Sequence, residues 1–226
     1  MCFSPEADLV AAVVIGGIGV DATRHVRSAA QWPLAALPLL LAGHSLIEAF
    51  VWWGVRGDVS GGVQTVATAL YVGIAFVVLP VYIPVTVLLL ENRPFHRPAE
   101  IVTLVAGVVC ATELTAALIA RPYSASPHGH HLVYHVHLHA GAVITALYLL
   151  STCGALLVSG RPFLRWYGVV NIAAVAMLAW VALDALTSLW CAWAAVTSIA
   201  VAVRLRSGAP PVASRRSPAA AGEVTT

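Results

Sequence analysis

The sequence predicts an all-α protein, a polytopic bundle of seven transmembrane helices. Three observations predict it. Of the 226 residues, 60% are hydrophobic and 10% are charged, whereas a soluble chain carries roughly 25% charged residues. Seven apolar segments approach the roughly 20 residues that a helix needs to cross a hydrocarbon core of about 30 Å. The arginines that punctuate those segments fall mostly on alternate breaks. A compact soluble fold of this length has too little interior to hide so much apolar surface. The composition therefore excludes a soluble enzyme, a nucleic-acid binder and a disordered regulator.

The first span, Pro5–Ala22, is the shortest of the early ones, and Glu6 and Asp8 stand where a signal peptide would have its cationic region. Pro33–Val55 follows the break from Arg24 to Trp32, and Val63–Leu90 follows the break from Arg56 to Gly62. Pro98–Ala120 follows Glu91 to Arg97, and Leu132–Ser159 follows the longest polar linker, Arg121–His131. Phe163–Leu183 and Ala185–Arg204 complete the set. Short linkers favour antiparallel neighbours and hence a bundle. Residues 1–206 are expected to form the membrane domain, and 207–226, rich in Ala, Pro, Ser and Gly, a disordered cytoplasmic tail.

Orientation follows from Arg, since the chain has no Lys. Loops one, three and five and the tail carry Arg24, Arg27, Arg93, Arg97, Arg161, Arg165, Arg204, Arg206, Arg215 and Arg216, against Arg56 and Arg121 on the other side. Positive charge stays inside, so the N-terminus is expected outside and the C-terminus in the cytoplasm, in the inner (plasma) membrane. An odd number of spans is then required, and seven satisfies it. Two turns echo each other: Arg93-Pro94-Phe95-His96-Arg97 and Arg161-Pro162-Phe163-Leu164-Arg165. A duplicated helical hairpin would produce the echo. A positively charged turn with Pro opening the next helix accounts for it as well, and is the plainer reading.

Chemistry concentrates in one leaflet. Six of nine histidines lie between His128 and His139. If the fifth helix begins near His131, then His131, His135 and His139 share a face, with i, i+4 neighbours about 5–6 Å apart, close enough for two imidazoles to hold one metal ion. His135 with His139, or His131 with His135, are the natural pairs. An extended segment would instead align His135, His137 and His139, which is tolerated only above the bilayer. His44 and Glu48 form another i, i+4 pair on the second helix, with Glu48 roughly 10 Å below its outer end, and Glu113 lies at a similar depth on the fourth. Glu6, Asp8 and Asp184 fall on the same side. Intramembrane ionisable groups usually face a bundle interior or a wet cavity. A His/carboxylate set suits a divalent metal, Zn first, with Cu or Fe as alternatives. The plainer readings are a loose His tract, carboxyls that pair locally or stay protonated, and Trp52, Trp53, Trp190 and Trp193 as interfacial packing. Cys110, Cys153 and Cys191 lie in apolar runs and suggest no disulfide framework. Cys2 would offer an outer-face thiol.

Four stretches carry a resemblance. Met1-Cys2-Phe3-Ser4 with Ala7 resembles an MCFSAxAS opening, and Ala36-Leu37-Pro38-Leu39-Leu40 with Glu48 and Trp52 resembles ALPLL and QQxxEGxxW. Leu147-Tyr148 with Thr152 resembles LYxxAT, and Ser188, Trp190, Cys191, Ala194 and Ala195 resemble SVWCFFAA. Together they resemble a family of uncharacterised bacterial integral membrane proteins, across nearly the whole chain to the tail. His44-Ser45 replaces Gln-Gln, Ala49 replaces Gly, and Pro5 and Asp8 depart from the opening pattern. The resemblance implies the membrane fold but no activity, and it points to Cys2, Glu48, Trp52, Ser188, Trp190 and Cys191 as positions to test.

Three functional classes follow. The first is a metal-dependent membrane hydrolase with His135, His139 and Glu48 or Glu113 as ligands and the uncoordinated carboxylate as general base on a lipid or small molecule. The second is a metal-binding sensor or chaperone without catalysis. The third is a structural membrane protein whose polar groups join helices. The inner halves of the spans are nearly bare of ionisable groups, which counts against transport.

Overall fold

A computed structural model describes residues 4–120, 123–128, 131–136, 140–181 and 186–208. Among these the chain forms helices α1 (Pro5–Arg24), α2 (Trp32–Arg56), α3 (Gly61–Leu90), α4 (Arg97–Ala120), α5 (Gly141–Val158), α6 (Pro162–Val181) and α7 (Leu186–Arg206), plus two strands, β1 (Ser124–His128) and β2 (His131–His135). Five of the helices, α2 to α6, are long and apolar enough to cross a membrane.

Local sequence sets the helix ends. Ser4 caps α1, its Oγ accepting from the Ala7 amide at 3.2 Å, with Pro5 at the first helical position. α2 closes on Gly57 at φ 83°, a left-handed position that glycine takes without Cβ strain. Ser60 then caps α3.

α1 runs antiparallel to α2, joined at its ends by Glu6 with Arg56 at 3.6 Å. The pair is unusually close: a Cβ on Gly19 would lie 2.9 Å from the Leu39 backbone nitrogen. Small residues at such a contact let two backbones approach, which is how helices associate where hydrophobic expulsion is unavailable. α1 and α2 both pack on α7, α2 also on α3, and α3 on α4 and α5. One buried cluster (Ala22, Leu34, Ala35, Val87, Leu90, Ala155, Leu156, Leu164, Val201, Leu205) gathers the ends of six helices where the arginines lie. The opposite end is closed by Val51, Trp52, Ala67, Tyr71, Val72 and Leu132. Apolar side chains also cover the outside: Val13, Val66, Val102, Val105, Met177 and Trp180 are all more than half exposed.

Two expectations change here. The fifth helix begins at Gly141, not near His131, and the stretch expected to be helical is strand. β1 and β2 pair antiparallel, Ser124 opposite His135 and His128 opposite His131, which satisfies backbone groups without a helix. The pattern of β2 favours this outcome: Leu132 is fully buried and Tyr134 packs with it in the same cluster, while His135 is exposed, an alternation of period two. His131 and His135 therefore do not share a helical face, and the fold is not purely α. His139, Cys2, Asp184 and the tail from 209 onward lie outside the described residues.

Candidate functional site

His44, Glu48 and Trp52 lie at i, i+4 and i+8 on α2, and all three are buried, at 1%, 2% and 5% exposure. The spacing puts them on one face of the helix. α3 returns along that face. The ring of Tyr71 stacks on His44 with centroids 3.9 Å apart, and Tyr134 of β2 stacks on the far side of Tyr71 at 4.3 Å. The strand pair thus roofs the imidazole through two tyrosines.

The His44 ring has a defined proton. Its Nε2 lies 3.1 Å from the Tyr71 carbonyl oxygen, which can only accept. Nε2 therefore carries the hydrogen, and in the neutral ring Nδ1 is the lone-pair nitrogen. A backbone carbonyl fixing one ring nitrogen while the other is left to bind is the arrangement usual behind metal-ligating histidines. Two turns further along the same face, the buried Trp52 indole N–H has no acceptor among the described residues.

This geometry depends on an irregularity in α3. The helix contains a π-turn over Ile74–Val78, in which the Leu79 amide reaches back to the Ile74 carbonyl. In an α-helix that amide would serve Ala75. The Ala75 carbonyl instead accepts from the Tyr148 hydroxyl of α5 at 2.8 Å. Pro84 has no N–H to give the Pro80 carbonyl, and Gly107 of α4 closes on that oxygen so tightly that a Cβ would sit 1.9 Å away. α5 has its own π-turn over Leu150–Gly154, where Ser151 and Thr152 both donate to the Tyr148 carbonyl at 2.9 and 2.8 Å. Single π-turns often mark functional positions.

The predicted site residues separate. His44 and Glu48 are buried together on α2, and Glu113 is exposed on α4. His135 is exposed on β2, its Nε2 2.8 Å from the Ser126 hydroxyl. His131 opens β2, and His139 lies outside the described residues. Among the described residues no three His, Cys, Asp or Glu side chains converge as a cation site. Of the positions singled out by resemblance, Tyr148 and Thr152 sit at the π-turn junction.

Sequence reasoning missed Tyr71 and Tyr134. Hairpin arithmetic had the signal for Tyr71: with the turn centred near Asp58, residue 44 faces 71 in antiparallel helices. It also missed a polar cluster at the arginine-rich end, where the two echoing turns meet. There the Glu91 carboxylate accepts from the Arg93 amide at 2.7 Å and from the Gly160 amide at 2.7 Å. Arg161 donates from Nε and a terminal nitrogen to the Leu90 carbonyl, the end of α3. His96 lies with Nδ1 3.0 Å from the Val158 carbonyl, the end of α5. Each turn thus supplies the C-terminal cap of the other hairpin's first helix. The signal was the repeated Arg-Pro-Phe turn itself.

The chain belongs to a family of unknown function, DUF6629, whose family model matches residues 1–217. No curated protein and no solved structure matches the chain.

Proposed function

We propose that this member of the family is a multi-pass protein of the plasma membrane, N-terminus outside, that binds a divalent metal ion, Zn first and Cu or Fe as alternatives, in the outer half of the bundle. The observation that carries this reading is the His44 ring, buried, with Nε2–H committed to the Tyr71 carbonyl, which leaves Nδ1 as the ring's lone-pair nitrogen. Glu48, one turn away, supplies an oxygen ligand, and the stretch from His131 to His139 supplies the remainder. These donors fit Zn, which takes His nitrogen and carboxylate oxygen in a four-coordinate shell. The Trp52 N–H, which has no acceptor among the described residues, suits an oxygen-bearing guest, such as a metal-bound water.

Because His44 is roofed by the tyrosine stack and Glu48 is buried, binding or sensing fits this state better than turnover of a lipid. A hydrolytic reading would use Glu48 as base toward a metal-bound water, one turn from the Trp52 indole on the same face of α2. The bilayer placement rests on the five long apolar helices and on the apolar outer surface.

The test is zinc content of the untagged full chain, purified in detergent and washed with chelator. About one ion per chain is expected, lost in His44→Ala and Glu48→Gln. A wild type without tightly held zinc, or a His44→Ala variant that keeps it, overturns the reading.

A further inference from the structure

The cluster at the arginine-rich end holds two carboxyls that the proposed metal site does not use. Glu91 follows α3, and Glu100 lies in the first turn of α4. Both are buried, Glu100 completely. Glu91 is well provided with donors, since each oxygen accepts one amide. Glu100 is the reverse: no N–H or O–H among the described residues reaches either of its oxygens. What lies within hydrogen-bond reach of Glu100 is the Glu91 carboxyl, another acceptor. Two acceptors face each other out of water, and a hydrogen bond between them requires a proton that neither the backbone nor any side chain supplies.

We propose that Glu91 and Glu100 form a one-proton binding site that locks the turn between α3 and α4 to the turn between α5 and α6. When the site is filled, Glu100 carries the proton and donates to Glu91, and Glu91 keeps its hold on the Gly160 amide. When the proton leaves, two like charges stand in contact in a buried place, and the pair is relieved by parting the turns. The surrounding charges do not neutralise the pair. Arg97 of α4 and Arg161 of the second turn act on Glu100 from nearby, and His96 acts on Glu91. Arg161 is already committed to the Leu90 carbonyl and His96 to Val158. The packing is close as well: a Cβ on Gly160 would lie 2.8 Å from a Glu91 oxygen and 2.9 Å from the His96 ring. The turns therefore fit together only while Glu91 stays in place. The ligand is a proton from the aqueous phase at this face, and its binding is coupled to docking of the hairpin α3–α4 on the hairpin α5–α6.

Two measurements on the full chain in detergent test this. Infrared spectroscopy at neutral pH should show a protonated-carboxyl band that shifts in heavy water and has a component that Glu100→Gln removes. Hydrogen exchange at the Arg93 and Gly160 amides, corrected for intrinsic base catalysis, should rise more than about tenfold as pH is raised. It should stay flat in Glu100→Gln, whose amide donates to Glu91 at every pH. If Glu100→Gln does not fold, Glu91→Gln serves instead, because one remaining carboxyl cannot be repelled by a partner, and its exchange should also lose the rise. A wild type without the band, a band left unchanged by Glu100→Gln, or an exchange profile that is the same in wild type and the folded variant overturns the proposal.

Discussion

Replacing Gly107 by Ala is the sharpest test of the architecture. The new Cβ would lie 1.9 Å from the Pro80 carbonyl oxygen, 2.9 Å from its carbon and 3.2 Å from the Ser151 Cβ. A carbon rests on a carbonyl oxygen at about 3.3 Å or more, so α4 must retreat from α3 by about 1.4 Å. The obstacle is backbone, held by a helix on one side and by the Ser151 contact on the other, so no side chain can swing away. Forcing extra volume into such a contact costs typically about 1–3 kcal/mol, occasionally more, and the retreat also loosens the neighbouring α4–α5 contact at Cys110 and Ile144. Against this, Ala in place of a mid-helix Gly recovers about 0.5–1 kcal/mol of helix propensity. The net expectation is destabilisation by about 1–2 kcal/mol, read as an earlier thermal transition in detergent. Gly43→Ala is the matched control, because nothing lies within 4 Å of its Cβ position, and it should be neutral or slightly stabilising. A Gly107→Ala protein that melts with the wild type would refute the close packing of α4 on the Pro80 carbonyl.

Other expectations follow from the same contacts. Tyr148→Phe removes the hydroxyl on the Ala75 carbonyl and should cost about 1–3 kcal/mol by the same melt, where a surface tyrosine would cost nothing. Arg161→Ala strips the cap from the Leu90 carbonyl and should cost about 1.5–3 kcal/mol; if Arg161→Ala melts unchanged, the capping between hairpins contributes little. Burial opposes the charge of Glu91, but the Arg93 and Gly160 amides, with Glu100 and His96, more than offset it and hold its carboxyl below the ordinary carboxylate range. Its stabilisation is then present above about pH 4.3 and lost as pH falls through the lower folded value, so acid should weaken wild type more than Glu91→Gln. For topology, a reporter after Arg206 should be cytoplasmic and one near Ser126 outside; both on one side would end the odd-span topology.

Most of the helices were legible because their signal is local. Runs of apolar residues interrupted by Arg, Pro and Gly fix α2, α3, α4 and α6 to within a few residues of where they lie, and Ser4, Gly57 and Pro162 mark ends by their own side-chain or backbone chemistry. The strand pair was not legible. His-rich polar sequence beside an apolar run reads as the start of a helix, and only antiparallel pairing with Ser124–His128 turns it into β structure. His44 and Glu48 were found because i, i+4 spacing is visible in one helix. Tyr71 and Tyr134, which fix and roof His44, were not, because each belongs to another element. The same holds for Glu91 and Gly160, 69 residues apart. What a single helix carries can be read from spacing, whereas what one element lends another needs the fold.

The contacts of α3 suggest why such a small bundle tolerates so many polar groups. An α-helix in an apolar setting normally satisfies its own carbonyls, but α3 releases several. Its π-turn diverts the amide due to Ala75, Pro84 removes the one due to Pro80, and the helix end leaves Leu90 open. Each released oxygen is met by a different element: Tyr148 of α5 at Ala75, Gly107 of α4 at Pro80, and Arg161 before α6 at Leu90. The Tyr71 carbonyl, one turn before the π-turn, takes His44 of α2 with its second lone pair. α3 therefore touches the candidate metal site at one end and the Glu91–Glu100 pair at the other through its own backbone. A change at one end that shifts α3 along its axis would bear on all four contacts, and the one at Pro80, where backbone meets backbone, has no side chain to adjust. Occupancy of the proton site is thus expected to alter zinc affinity at His44, and Glu100→Gln, fixed in the docked form, should leave only the pH dependence that protonation of the zinc ligands themselves imposes.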